Sequence, residues 1–274
     1  MNGIHVVSTA PFFASKNGAF SVEDFDLYCT VMSALVWRRQ GNAITLCTDR
    51  AGAEYYRNLG IDSVWNDIRV CIPDDLEGID PRTYWAGGKL FALRETPAPT
   101  VMFDTDFIVW NAPKFGGELI AAHREDLLPD VYPPPAYFRL DGHILPPFSE
   151  AVLPLNTAFL YIPNEDFKNF YVSQSIAFMK STLPTNDRLC YMVFAEQRLA
   201  AMCADFTGTP VRTLLDKDSL FFPQDSYTHL WGAKQKMRDE PALRRQLCAD
   251  FDAQLRREFP EYSFCADIIA RLGK

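Results

Sequence analysis

Two acids stand inside an otherwise apolar run, Thr100-Val101-Met102-Phe103-Asp104-Thr105-Asp106-Phe107-Ile108-Val109-Trp110. A short apolar run reads as a buried strand, and a carboxylate there is costly unless its charge is compensated. Residues two apart on an extended chain point to the same face. Asp104 and Asp106 therefore offer hard oxygen ligands for a divalent cation at a strand end. The competing reading is structural, with acids that cap a turn or pair with basic neighbours. The other residues able to do chemistry are scattered: Lys89, Asn156, Glu196, Gln197, His229 and Lys234. A buried core histidine, an Asn in a strand bulge and a solvated Glu-Gln helix face are the ordinary readings for several of these.

Something must bring such distant residues together. With 274 residues the chain has ample material for a core. The first hundred residues alternate strand and helix. Ile4–Thr9 reads as a strand closed by Ala10-Pro11. Ser21-Val22-Glu23-Asp24 resembles a capping box. The helix after it buries Phe25, Tyr28, Cys29, Met32, Leu35 and Val36 at spacings of three and four and stops at Gly41. Ala43–Thr48 is a second strand ending at Asp49, and a helix around Glu54–Leu59 stops at Gly60. Another strand falls within Val64–Ile72, and Tyr84–Leu93 reads as a helix carrying Lys89 despite Gly87 and Gly88. This alternation predicts an α/β fold with a mostly parallel sheet flanked by helices. Ligands of such sheets bind at the carboxyl ends of strands, where the diacid falls.

The second half is less regular. Phe115–Ala122 fits helix or strand. Residues 128–148 hold six prolines among aromatics, and long loops of this kind are usually functional, here as an acceptor-binding segment or lid. Val152–Ile162 reads as a strand, Asn164 caps a helix to about Met179, and Asp187 starts another that carries Glu196 and Gln197. Val211–Leu215 reads as a late strand. A helical tail follows, with Pro241 in a first turn, Leu243, Leu247, Phe251, Leu255 and Phe259 every four residues, and a last helix from Tyr262 to Leu272 that ends at Gly273. Two units are expected, residues 1–235 and a C-terminal helical extension, 236–274, packed on the first.

Net charge is −8 and no basic stripe is present, which argues against nucleic acid as partner. Seven cysteines without a Cys-x-x-Cys pair fit reduced thiols in the cytoplasm rather than a disulfide framework or zinc site. No signal peptide and no transmembrane run is visible. The tail could pack on the domain, form an oligomer or lie at a membrane surface; its mixed charges argue against strong anionic-lipid anchoring.

Taken in order, Lys89, Asp104-x-Asp106, Asn156-Thr157-Ala158, Glu196-Gln197 and His229-x-x-Gly232-x-Lys234 resemble the GT-A glycosyltransferases, most of all family eight and its relatives. The resemblance spans about residues 4–234. It implies a Rossmann-like GT-A fold and transfer of a hexose from a nucleotide diphosphate sugar, UDP-linked, to a glycan or other hydroxyl acceptor, with retention of configuration. It implies Mn²⁺ or Mg²⁺ held by Asp104, Asp106 and His229, with Asp104 also reaching the ribose. Lys89 and Lys234 would add positive charge at the diphosphate or sugar. Ser8, Thr9 and Asp49 would line the nucleoside pocket, Asn156 and Gln197 would bind sugar hydroxyls, and Glu196 would lie near the reacting carbon. Three positions depart from the family pattern: Glu196 where Asp is commoner, Thr157 where Gly is common, and Lys89 in place of Arg, a point charge for a bidentate fork.

Two other functions compete. A haloacid-dehalogenase-type phosphatase would use Asp104 as nucleophile, with Asp216 and Asp218 as late acids, but its diacid normally lies on the first strand. A non-catalytic nucleotide-sugar or glycan binder would keep the fold alone.

Overall fold

The computed structural model describes residues 1–220, 222, 225–230 and 232–272, with only the backbone at Asp218. Gly273, the expected stop of the last helix, lies outside them.

The chain opens with β1 (Asn2–Val7), a short helix α1 (Ala10–Ser15), α2 (Asp24–Arg39), β2 (Ala43–Thr48), α3 (Arg50–Leu59) and β3 (Asp67–Val70). Then come α4 (Gly88–Arg94), β4 (Thr100–Phe103), β5 (Phe107–Val109) and β6 (Leu119–Arg124). The second half holds β7 (Leu155–Ile162), α5 (Glu165–Ser181), α6 (Arg188–Val193), a π-helical turn at Phe194–Arg198, α7 (Leu199–Phe206), β8 (Val211–Thr213) and β9 (Tyr227–His229). Three helices close it: α8 (Ala233–Asp239), α9 (Pro241–Glu258) and α10 (Ser263–Leu272).

Seven strands form one sheet in the order β3-β2-β1-β4-β7-β6-β8. Its β3-β2-β1-β4 half is parallel, β7 runs antiparallel to both neighbours, and β8 is again parallel to β6. The expected fold, a mixed, mostly parallel sheet flanked by helices with a helical C-terminal tail, is what the protein has. A separate ribbon pairs β5 with β9. Apolar side chains fill two cores. One gathers α4, α5, the π turn and α7. The other gathers α2, α9 and α10.

Several local readings need correction. β1 ends at Val7, and Ala10-Pro11 begins α1 instead of closing a strand. The box at Ser21 does not form: α2 starts at Asp24 after Glu23, with no side-chain cap. Its six predicted core residues are buried, but so is every residue from Leu27 to Trp37. The tail is the reason, because Phe251, Leu255 and Ile269 cover the face that an isolated amphipathic helix would leave wet. Those apolar side chains are thereby used within the chain, and an oligomer through the C-terminal helices finds no support. Helix α8 runs across residue 235, the expected boundary. Of the ambiguous segment Phe115–Ala122, Leu119–Ala122 belongs to strand β6 and the residues before it are neither helix nor strand. Gly41 and Gly60 have φ of 77° and 79°, the left-handed geometry of helix stops.

Candidate active site

The strand directions build the site. β4 runs parallel to β1 and antiparallel to β7, with Phe103 opposite Phe159. The carboxyl ends of β1 and β4 therefore meet the amino end of β7. Past Phe103 the chain turns tightly: Asp104 N donates to Ala158 O at 2.8 Å and Phe107 N to Asp104 O at 2.9 Å. Asp104-Thr105-Asp106 is that turn, and Asn156-Thr157-Ala158 is its neighbour. The β5–β9 pairing sets Phe107 opposite His229, which brings the late histidine to the diacid. Gly88 lets α4 approach β1, since a Cβ there would lie 2.8 Å from the Ser8 Cβ. That approach delivers Lys89.

These elements enclose a cavity of about 490 Å³ lined by Ser8, Lys89, Asp104, Asp106, Asn156, Glu196, Gln197, His229 and Lys234. Nine of the eleven residues expected at the site thus share one cavity. Thr9 and Asp49 do not line it. The Asp49 carboxylate is buried and accepts from Thr9 N (2.5 Å), Thr9 Oγ1 (2.9 Å), Ser8 Oγ (3.3 Å) and Gly52 N (2.9 Å). It caps α3 and fixes the turn after β1, leaving nothing for a nucleoside. A strand-end Asp before a helix carries a capping signal as readily as a ligand signal.

Each aspartate has a lysine. Lys89 Nζ lies 2.6 Å from Asp104 Oδ1 and 2.7 Å from Glu196 Oε1. Lys234 Nζ lies 3.0 Å from both Asp106 Oδ2 and Asp26 Oδ1. Burial would discharge either lysine, but its two carboxylates outweigh that and raise its pKa. Burial pushes the Asp104 carboxyl up to about 6, with Lys89 opposing and Asp106 and Glu196 adding to the rise. Burial also lowers His229 to about 4, so its imidazole is neutral near pH 7.

The cavity fits a divalent cation. Asp104, Asp106 and His229 each present a ligand atom within 4.8 Å of one another. Two carboxylates and a neutral imidazole form a donor set able to hold a divalent metal ion. Charge agrees: the two ion-paired groups hold four carboxylates against two ammoniums. The deficit equals the charge of one such ion.

Around this centre stand further residues, of which the sequence reading singled out only Thr157, as a departure from the family pattern. Asp26 comes from α2. Thr157 Oγ1 donates to Glu196 Oε1 at 2.6 Å. Glu125 accepts from Asn156 Nδ2 at 2.9 Å, while Asn156 Oδ1 accepts from Ala158 N. Trp85, 43% exposed, forms part of the cavity wall. Beneath the diacid, Trp65 Nε1 donates to His5 Nδ1 at 3.2 Å. His5 Nε2 therefore carries the proton and donates to Ser33 Oγ, which donates to the Phe107 carbonyl at 2.6 Å. Burial holds His5 down at about 3, so it stays a neutral support. None of these lies near its partner in sequence except Asn156 and Ala158, so no spacing signal announces them.

No protein-family model and no curated protein matches the chain. Among solved structures it is similar to the PaToxG glycosyltransferase, at 10% identity over 75% of this chain and 69% of that one, with a TM-score of 0.44. It is also similar to the galactosyltransferase LgtC in complex with donor and acceptor sugar analogs, at 11% identity over 77% of this chain and 73% of that one, with a TM-score of 0.38. At these identities the likeness concerns the fold and gives no residue a role.

Proposed function

We propose that the protein is a metal-dependent glycosyltransferase of the GT-A, family-eight type, moving a hexose from a UDP-linked donor to a glycan or other hydroxyl acceptor with retention of configuration. The observation that carries the reading is the convergence of Asp104, Asp106 and His229 within 4.8 Å at the carboxyl ends of parallel strands, with two lysines beside them. Residues 1–235 would form the transferase domain and 236–274 its packed extension. No described helix is long and apolar enough to cross a membrane. A cytoplasmic place for the enzyme is part of the same proposal and rests on its seven free cysteines.

In this reading Asp104, Asp106 and His229 hold Mn²⁺ or Mg²⁺. A cation held there would supply Lewis-acid stabilisation to a leaving nucleoside diphosphate. Lys89 and Lys234 would exchange carboxylate contacts for the diphosphate, adding fixed positive charge where negative charge develops. Ser8 lies on the side of the cavity toward the end of β1, a place for the nucleoside. Asn156 and Gln197 offer amides to sugar hydroxyls. Glu196 is held by Lys89 and Thr157 beside the same space. The three departures from the family pattern meet at one oxygen, Glu196 Oε1, so the donor pocket differs there as a unit.

The test is thermal melting with a panel of nucleotide-sugars, with and without Mn²⁺, followed by assay of UDP release. A UDP-sugar should raise the melting temperature only with the metal, and UDP should be liberated. Phosphate release from simple phosphoesters would favour the phosphatase reading, and binding without turnover a non-catalytic binder.

A further inference from the structure

The proline-rich segment is neither a free lid nor a linker. It is anchored at the end of α5, with Asp141 N donating to Ser181 O and Leu140 bridging to Thr182, and at several points along one short stretch, 190–198. The Cys190 thiol donates to Asp130 O at 3.2 Å. Phe138 packs on Phe194 with ring centroids 4.2 Å apart, and Arg139 N donates to the Tyr191 hydroxyl at 2.9 Å. The buried Arg198 guanidinium donates to the carbonyls of Glu150, at 2.6 Å, and Val152. Between these anchors the buried Tyr132 hydroxyl donates to Gln197 Oε1.

The π turn therefore points three consecutive side chains at three targets. Glu196 goes to Lys89 and Thr157, Gln197 to Tyr132, and Arg198 to the end of the loop. A π turn inserts one residue into a helix and re-aims the side chains around it. Once Oε1 is taken by the tyrosine, the Nε2 donors are the part of the Gln197 amide left for a ligand. A primary amide can otherwise turn over and present either group.

We infer that Tyr132 is a positioning residue: it fixes the Gln197 amide so that the cavity presents N–H donors to an oxygen of the sugar. This rests on the glycosyltransferase reading for its ligand and on the hydrogen-bond geometry for the rest. The sugar's hydroxyls are met by a donor at Gln197, which favours a sugar oxygen free to accept at that point.

Tyr132→Phe keeps the ring and deletes the hydroxyl. With Mn²⁺ and UDP-glucose or UDP-galactose as probes, KM for the sugar nucleotide should rise about five- to tenfold, the size of one intramolecular hydrogen bond. Affinity for UDP, which has no sugar, should not change. In a Gln197→Ala background Tyr132→Phe should add nothing. Equal loss of UDP affinity, or additive losses, would overturn the inference. A readout without activity separates the two readings. The Gln197 side-chain amide signal, assigned as the ¹⁵N-labelled pair missing from Gln197→Ala, should move in ligand-free Tyr132→Phe. An unmoved signal overturns the positioning role whatever the activity. A moved signal in a protein that takes no UDP-sugar supports the positioning of Gln197 and overturns the glycosyl-transfer reading instead.

Discussion

The two halves of the site share a plan and differ in construction. In each, one lysine bridges two carboxylates: Asp104–Lys89–Glu196 on one side, Asp106–Lys234–Asp26 on the other. The Lys89 half is assembled from α4, the end of β4 and the π turn; α4 and the π turn are rooted in the core beneath α4, α5 and α7, to which β4 adds Met102. The Lys89 side chain is 14% exposed and its contacts are 2.6 and 2.7 Å. The Lys234 half is assembled from α2, the β5–β9 ribbon and α8, elements on the other face that the tail holds in place. Lys234 is 31% exposed and its contacts are 3.0 Å. Coulomb attraction and the cost of an unmatched charge both grow as water is excluded. The Lys89 half should therefore be rigid and sensitive to deletion, and the Lys234 half more forgiving.

The sharpest way to break this comparison is to remove each lysine. Lys89→Met leaves Asp104 facing the buried Glu196 with no cation between them, and by the range for breaking a buried pair it should cost about 3–5 kcal/mol of folding stability. Lys234→Met, in a wetter setting, should cost about 1 kcal/mol, as for partly exposed pairs. Urea denaturation without metal measures both. Equal losses would erase the distinction between the halves.

The next effect is on turnover. Asp106→Asn removes a charged ligand and keeps the shape, and UDP release should fall about 10²–10³-fold, the size expected when one charge-stabilising group is lost. Asp104→Asn should fall as far. Turnover near the parent's in either variant would remove the diacid from the chemistry.

A smaller effect is expected at His229, the proposed ligand from the ribbon. His229→Ala should weaken Mn²⁺ binding by about tenfold, the low end of the range seen when a metal site loses a supporting group, with melting temperature unchanged. Titration calorimetry decides it, and an unchanged titration would take His229 out of the ligand set.

How much of this the sequence told depends on how far apart the cooperating residues lie. Local signals were legible. The bounds of β2, the helix stops at Gly41 and Gly60 and the Asn164 cap, whose side chain accepts from Phe167 N, need only neighbouring residues. The diacid was legible because acids in an apolar strand are anomalous by themselves. Asp26 reaches the site only through Lys234, and Tyr132 only through Gln197. Pairings at such separations leave no periodicity. Asp49 shows the converse, a strand-end acid whose oxygens are taken by the α3 cap and by Ser8 and Thr9, which keeps it out of the cavity. The full burial of α2 was hidden for the same reason, since its covering helices come last in the chain.

The last test uses pH to ask whether the buried half controls the metal. The Asp104 carboxyl titrates at about 6 against 3.8 for the unperturbed group, and His229 at about 4. A raised acid holds its proton more tightly in the folded chain. Without metal, its contribution to stability is therefore present below the unfolded value and is lost as pH rises through about 6. A metal needs the carboxylate, so binding reverses the direction and competes with the proton. Mn²⁺ affinity should be level above about pH 7 and fall below about 6, by at most tenfold per unit for one proton. His229 stays neutral through that window and adds a second proton only near 4. A one-proton slope that begins near 6 would place the control at Asp104, in the buried half. A decline that begins near 4 would shift control to His229, and the ribbon rather than the core would then set the metal's pH dependence.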